Sequence, residues 1–283
     1  MTVVVTGAAG LLGSHVVAAL LAAGREVRAV DRRAPSAPGA EVVVADLTSL
    51  GDTVQALQGA SFVVHAAAHP RPTGLTGAEV FRTNVLAVYN VVEASVLHRV
   101  GRLVNASSFS VLGFPFNPRP LRPAYLPIDE DHLLAPQEAY GLSKQLTEEI
   151  VSAATRRSDL TAVSLRMPWI QTPATFADEL AARRGEPCVA AANLWAYLDA
   201  RDAAQAFLAA LDRPVSGHAA VYLTAPDTFM DEDTETLVRA TFGEIELRKP
   251  LAGHAPLLDA TAAEQLLGFR AQRSWRSYSQ EVA

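Results

Sequence analysis

From the start of the chain to about residue 170, short apolar runs rich in β-branched residues alternate with longer stretches whose apolar positions recur at helical spacing. The short runs predict strands over 2–6, 26–30, 41–45, 61–66, 101–107 and 160–166, and the longer stretches predict helices over 10–23, 49–58, 76–98 and 137–156. Such alternation builds a parallel sheet covered on both faces, so the expected class is α/β with a doubly wound parallel sheet. Residues 113–127, "GFPFNPRPLRPAYLP", hold five prolines and sustain neither helix nor ladder strand. They are expected to form an irregular loop over the sheet's carboxyl edge, where ligands bind in such folds. Beyond residue 170 the rhythm weakens into a helix over 174–184, a strand over 195–199, a helix over 201–212, a strand over 219–223 and helices over 231–242 and 260–267. The expected division is a sheet domain over 1–170 and a small covering region over 171–283, with 195–223 returning to the core. No internal repeat is present.

The first strand runs directly into "VVVTGAAGLLGSH", where Gly7, Gly10 and Gly13 stand three apart at a strand-to-helix turn. Glycine tolerates the backbone angles of such a turn, and the helix N-terminus behind it offers free N–H groups and a positive dipole end to an anion such as a pyrophosphate. A tight turn in an ordinary α/β protein would look the same. A dinucleotide would also need an acidic residue at the end of the second strand to bond the adenosine ribose, and Asp31 closes "EVRAVD". Its charge opposes a 2′-phosphate and favours NAD, whereas Arg32 and Arg33 could pair with that phosphate or stack on adenine, which keeps NADP possible. Asp46 ends the third strand, and His65 with three following alanines ends the fourth. The alanines suit either a close ligand or tight packing, and His65 is read as a structural histidine.

Composition narrows the partner. The chain has 283 residues, 49 % of them hydrophobic, enough for a proper core, and its net charge of −6 is not offset by any basic run. Nucleic acid and anionic membrane are disfavoured, and a small molecule is favoured. The single cysteine, Cys188, excludes an internal disulfide and a multi-cysteine metal site, so no metal is expected. With no leader-like segment and no long apolar span, the expected location is cytoplasmic.

Lys144 and Lys249 are the only two lysines. Lys144 follows Tyr140 by four residues in "EAYGLSKQLTEE", on one face of a helix. An ammonium beside a phenol lowers its pKa and makes it a usable acid or base near neutrality. Ser107 and Ser108 end the fifth strand on the same sheet edge, where a serine can bond a substrate hydroxyl or carbonyl.

With "TGAAGLLG", "ADL", "HAAA", Asn84 in "RTNVLAVYNVVEA", "ASSFSVLG", "YGLSK" and "RDAAQAF" in order, the chain resembles the extended short-chain dehydrogenase/reductases, the NAD-dependent epimerase/dehydratase family, over residues 1 to about 215. The resemblance implies a Rossmann-type NAD(P)-binding domain. It assigns Gly7, Gly10, Leu11, Leu12, Gly13, Asp31, Arg32, Asp46, Leu47, Ala66, Ala67, Asn84, Tyr140 and Lys144 to the cofactor, and Ser108, Tyr140 and Lys144 to catalysis. Tyr140 would exchange the substrate hydroxyl proton as hydride passes between substrate and nicotinamide. Lys144 would hold the ribose and tune the tyrosine, and Ser108 would orient the substrate oxygen. Related enzymes pair through the two long helices, which implies a homodimer.

The departures narrow the reaction. Phe109 and Ser110 stand where sugar 4,6-dehydratases carry the Asp-Glu pair used for elimination. Val111, Leu112 and Gly113 replace the usual Val-Tyr-Gly, and Trp169 in "LRMPWIQTP" replaces a substrate-contacting asparagine. The segment that cradles a nucleotide is short and lacks a clear match to its arginine. A smaller substrate is implied, as in the compact uronate dehydrogenases, with Arg119, Arg122 and Arg166 as candidate carboxylate clamps. The expected activity is an NAD(P)-dependent oxidoreductase acting on a small sugar, sugar acid or polyol. A nucleotide-sugar 4-epimerase using the same Ser-Tyr-Lys set is the alternative. A cofactor-sensing protein on the same fold is a third reading, disfavoured because Tyr140 and Lys144 are both present.

Overall fold

The computed structural model describes residues 1–278. Six strands and four helices make the first half: β1 (Thr2–Thr6), α1 (Leu11–Ala22), β2 (Glu26–Asp31), β3 (Glu41–Val44), α2 (Leu50–Ala56), β4 (Phe62–His65), α3 (Gly77–Leu97), β5 (Arg102–Ser108) and, beyond a short β6 (Tyr125–Leu126), α4 (Ala139–Arg157). Next come β7 (Thr161–Met167), β8 (Trp169–Gln171), the short turns α5 (Pro173–Thr175) and α6 (Pro187–Ala190), β9 (Tyr197–Asp199), α7 (Ala200–Asp212) and β10 (His218–Tyr222). The described chain ends with α8 (Thr234–Phe242), β11 (Glu246–Leu247) and α9 (Thr261–Leu267).

Seven strands pair in parallel in the order β10-β7-β5-β4-β1-β2-β3. The order runs outward from β1 in both directions, so the chain reverses between β1 and β4, and ligands settle in the crevice at such a switch point. Strand registers bring Thr6 opposite His65, His65 opposite Asn105, and Ser107 opposite Arg166, which puts the functional strand ends on one edge.

Apolar alternation is replaced in the central strands by continuous runs because both faces are buried. On one face, Val16, Val17 and Leu20 of α1 meet Ala203 and Phe207 of α7 and Leu267 of α9. On the other, Val88, Val91 and Val92 of α3 pack with Leu57 and with Val151 and Ala154 of α4. A third apolar cluster lies off the carboxyl edge, where Phe109, Leu126, Ile128, Phe176, Trp195, Tyr197, Tyr222 and Phe229 converge. β10 joins β7 and α7 packs beside α1, so the chain returns to the main sheet after residue 170.

The helix expected over 174–184 is not regular: α5 gives way to a π turn at Phe176–Leu180 and a 3-10 turn at Ala181–Gly185. Tertiary packing outweighs local propensity there. Phe176 stacks on Trp275 at 5.2 Å and Leu180 is fully buried, which seats both side chains in the third cluster at the expense of an even helical pitch. Among the described residues no helix is long and apolar enough to cross a membrane, and no cluster of metal-ligating side chains occurs.

Candidate active site

The glycine turn is built as a close approach of three backbones. Gly7 has a φ of 73°, and a side chain there would meet the backbone of Ala66 and Ala67 at 2.6–2.7 Å, so glycine lets the loops after β1 and β4 touch. A Cβ at Gly13 would sit 2.1 Å from the Gly7 carbonyl oxygen, which makes glycine the condition for α1 to start so close to the turn. Gly10 caps α1 without any side-chain bond, and the first turn, opened by exposed Leu11 and half-buried Leu12, contains no acidic residue. The helix start thus keeps its N–H groups open to an anion.

Asp31 stands at the end of β2 with one carboxylate oxygen accepting from the Ala9 N–H at 3.1 Å and the other from the Arg33 N–H at 3.2 Å. It flanks the glycine turn while Arg32 remains exposed. Asp46 accepts from both the backbone and the hydroxyl of Thr48, bonds that hold its carboxyl below the usual range. Leu47 is buried, and its carbonyl accepts from Asn90 at 2.8 Å. Asn84 is buried and bonds the His69 backbone at both ends, with a further bond to Ser143, so it fixes the loop after β4 against α4. The uncapped helix start, the glycine turn and the acid at the β2 end lie side by side, joined by the Ala9–Asp31 bond, and their donors and acceptor suit a dinucleotide's pyrophosphate and ribose.

Helix α4 delivers Tyr140 and Lys144. Glu138 caps α4 by accepting from the Tyr140 and Gly141 N–H groups at 2.6 and 2.5 Å, which fixes the helix where the tyrosine leaves it. A side chain at Gly141 would meet the Ser110 carbonyl oxygen at 2.6 Å, so glycine permits the turn after β5 to lie directly on α4. That contact sets the end of β5, with Ser108, beside the start of α4, and the Ser108 hydroxyl acts on the Tyr140 phenol. Ser108 is itself held by Ser110, whose N–H donates to it at 3.1 Å and whose hydroxyl lies at 3.0 Å.

Ser108, Tyr140 and Lys144 are all buried, at 6, 7 and 5 % exposure, which sets their charge states. Burial pushes the Tyr140 phenol up to about 12, opposed by the Ser108 bond and reinforced by the Glu138 charge. This differs from the expected lowering by Lys144. The Lys144 ammonium donates to the Ala106 carbonyl at 2.6 Å and lies 5.8 Å from the centre of the Tyr140 ring, so it does not offset the desolvation of the phenol. Burial brings Lys144 itself down to about 8, with Glu148 pulling the other way. His65, whose Nδ1 lies 2.8 Å from Thr6 Oγ1, is held at about 3 by burial, with Lys144 repelling its charge. It is a neutral imidazole in the wall of the site.

One supporting group lies outside the motifs of the sequence. Glu148, a helical turn beyond Lys144, accepts from Ser107 Oγ at 2.5 Å and from Arg166 Nε and Nη2 at 3.0 and 2.8 Å. The helical spacing of Tyr140, Lys144 and Glu148 was a readable signal, but its partner comes from β7. Arg166, expected as a substrate clamp, is instead buried, paired along one edge with the Glu148 carboxylate and 5.1 Å from the centre of the Tyr222 ring. A guanidinium already matched to one carboxylate supports α4 rather than presenting a free fork.

The other residues expected around the substrate separate. Phe109 is 4 % exposed and belongs to the third apolar cluster, so it supports the turn from beneath. Arg119 and Arg122 are exposed on the proline-rich loop, whose Arg119 carbonyl accepts from Gln137. Trp169, half-buried, opens β8, which pairs with β9 apart from the main sheet, and the Arg183 guanidinium lies 5.1 Å over its ring.

A model of the NAD dependent epimerase/dehydratase family matches residues 3–224. An L-arabinose 1-dehydrogenase (NAD(P)(+)) of Haloferax volcanii is 31 % identical over 189 residues, 65 % of this chain and 71 % of that protein. A UDP-glucose 4-epimerase of Corynebacterium glutamicum is 29 % identical over 177 residues, 59 % of this chain, which thereby spans about half the length of that enzyme. In three dimensions the chain is similar to a short-chain dehydrogenase/reductase superfamily protein of Agrobacterium tumefaciens with bound NAD, with a TM-score of 0.77 and 27 % identity, over 99 % of this chain and 95 % of the other. From its matched extent, its parallel sheet and its ordered motifs, the chain belongs to the NAD dependent epimerase/dehydratase family.

Proposed function

We propose that the chain is an NAD-dependent oxidoreductase that moves hydride between nicotinamide and a hydroxyl or carbonyl carbon of a small free sugar, sugar acid or polyol. The observation that carries this reading is the convergence of Ser108, Tyr140 and Lys144 at the carboxyl edge of the sheet, beside a glycine cradle suited to a dinucleotide. When bound, oxidised nicotinamide supplies a hydride acceptor and a positive charge. In the oxidative direction Ser108 orients the substrate oxygen and the Tyr140 phenolate, favoured by the nearby positive charges of Lys144 and of the oxidised nicotinamide, accepts the substrate's hydroxyl proton and becomes the phenol. Reduction reverses each transfer. Asp31 favours NAD over NADP through charge repulsion with a 2′-phosphate. Residues 1–170 serve the dinucleotide, and the later part of the chain covers the substrate apart from 195–223, which rejoins the sheet domain. The free-sugar reading is supported by similarity to an arabinose dehydrogenase.

A nucleotide-sugar 4-epimerase is the second reading, supported by the likeness to a UDP-glucose 4-epimerase and by the same catalytic set. The two separate in a panel of free aldoses, uronic acids and nucleotide sugars incubated with NAD or NADP, with nicotinamide absorbance recorded and Tyr140→Phe as control. Net reduced cofactor with a free sugar supports the dehydrogenase, and conversion of a nucleotide sugar without net reduction supports the epimerase. We further assign the enzyme to the cytoplasm as a homodimer through α3 and α4, where Phe81, Val85, Leu86, Tyr89 and Ile150 line a shallow apolar depression. Sedimentation of wild type and Tyr89→Arg tests the dimer.

A further inference from the structure

The proline-rich loop after β5 contains a residue that breaks two local rules at once. Phe116 has a φ of 59°, a conformation that a bulky side chain rarely adopts, and it leaves 47 % of its surface to solvent. It is the one exposed phenylalanine among the ten in the chain. The other apolar residues with positive φ, Leu194 and Trp195, are fully buried, so packing compensates their strain. Phe116, with about half its surface uncovered among the described residues, is not packed in that way.

The loop is not loosely attached. On one side Phe114 is buried against the His132 ring at 5.9 Å, and on the other Leu126 and Ile128 lie in the third apolar cluster. Gly113 is pinned, since a Cβ there would meet the Ala135 carbonyl oxygen at 2.0 Å. The strained tip is thus held over one place. The neighbour of the Phe116 ring is Tyr140, 6.3 Å away and nearly perpendicular at 84°. An exposed aromatic face, held in a strained backbone beside the proton-exchanging tyrosine, is the arrangement of a ligand clamp.

We propose that Phe116 is a specificity-determining wall of the substrate pocket, its ring shielding Tyr140 from water and stacking on the C–H face of a free sugar ring. This rests on the oxidoreductase reading above and names the group that selects a compact ring substrate. A sugar ring presents polar edges and a face of C–H groups, and an aromatic plane matches that face while Ser108 and Tyr140 take a hydroxyl. Covering Tyr140 also removes water from the proton transfer.

The test uses the NAD-loaded full chain with the free aldose or uronic acid that gives the highest rate, comparing Phe116→Ala, Phe116→Asn, Phe116→Tyr and Tyr140→Phe by kinetics and thermal unfolding. Phe116→Ala and Phe116→Asn are expected to raise KM at least 10-fold and lower kcat less, without lowering Tm, and Phe116→Asn should raise Tm because asparagine tolerates positive φ. Phe116→Tyr should restore KM to within about 3-fold by keeping the ring. A change in kcat/KM below 2-fold in Phe116→Ala, with Tyr140→Phe inactive, overturns the wall and leaves the oxidoreductase intact. A fall in Tm like that of a buried Phe→Ala change, with no rescue by tyrosine, overturns it as a packing residue. Full turnover by Tyr140→Phe, or no turnover of any free sugar by wild type, removes the underlying reading and the wall with it.

Discussion

Glu148→Gln should be far more damaging than its conservative shape suggests. Three donors converge on the Glu148 carboxylate, two of them from Arg166, and the two side chains are only 7 and 8 % exposed. Glutamine can keep one acceptor for Ser107 and Arg166 Nε, but its amide NH2 then faces Arg166 Nη2, donor against donor. Arg166 already has Nη1 buried without a geometric partner, so the variant leaves a cation whose desolvation is no longer offset. Removing one member of a buried pair typically costs about 3–5 kcal/mol, which for a chain of this size lowers Tm by about 6–15 °C. Replacing both by apolar residues, Glu148→Met with Arg166→Met, removes the stranded charge and should recover most of that loss. The assay is urea unfolding of wild type, both single variants and the double variant, read as a thermodynamic cycle. A second signature follows at Lys144, which loses the charge opposing its desolvation. Its ammonium, already down at about 8, falls further, and the alkaline limb of kcat/KM moves to lower pH. A loss below about 1 kcal/mol in Glu148→Gln, or a double variant as unstable as the two singles summed, would refute the reasoning.

Other consequences are equally open to measurement. Gly141→Ala pushes a methyl into the Ser110 carbonyl at 2.6 Å, displaces Ser108 from Tyr140, and should lower kcat at least 10-fold while NAD affinity stays within about 2-fold by calorimetry. His65 has a folded pKa of about 3 against an ordinary 6.5, so the unfolded chain binds more protons between these values. Its contribution is therefore fully present above pH 6.5 and lost as pH falls toward 3, and His65→Asn should flatten that part of the stability profile. Asp31→Ser removes the charge opposing a 2′-phosphate and should shift the NAD to NADP preference by about 10-fold, or about 1.4 kcal/mol, toward NADP. An unchanged ratio would detach Asp31 from cofactor choice.

Most of the sheet was legible because strands buried on both faces have little option but continuous apolar runs, as in Val3, Val4 and Val5, and their helices must carry one apolar stripe. The glycine turn and the Tyr140–Lys144 spacing were legible for the same reason, since both are local. What escaped depended on distant partners. Phe176 and Leu180 stand at helical spacing, yet Trp275, about a hundred residues later, decides how their backbone winds. Arg166 reads as a free fork until Glu148 is placed opposite it, and Tyr140 reads as an activated phenol until its burial is known. Phe116 could not be separated from ordinary loop apolarity, because its significance lies in a strained φ and in remaining uncovered.

The most direct measurement follows the hydride itself. A free aldose deuterated at its oxidisable carbon is incubated with NAD and stoichiometric enzyme, and the cofactor is recovered and examined by mass spectrometry. Hydride transfer assisted by Tyr140 predicts deuterium on the reduced nicotinamide with wild type and none above background with Tyr140→Phe. Cofactor without deuterium across the panel of free sugars, or equal transfer by Tyr140→Phe, would contradict it.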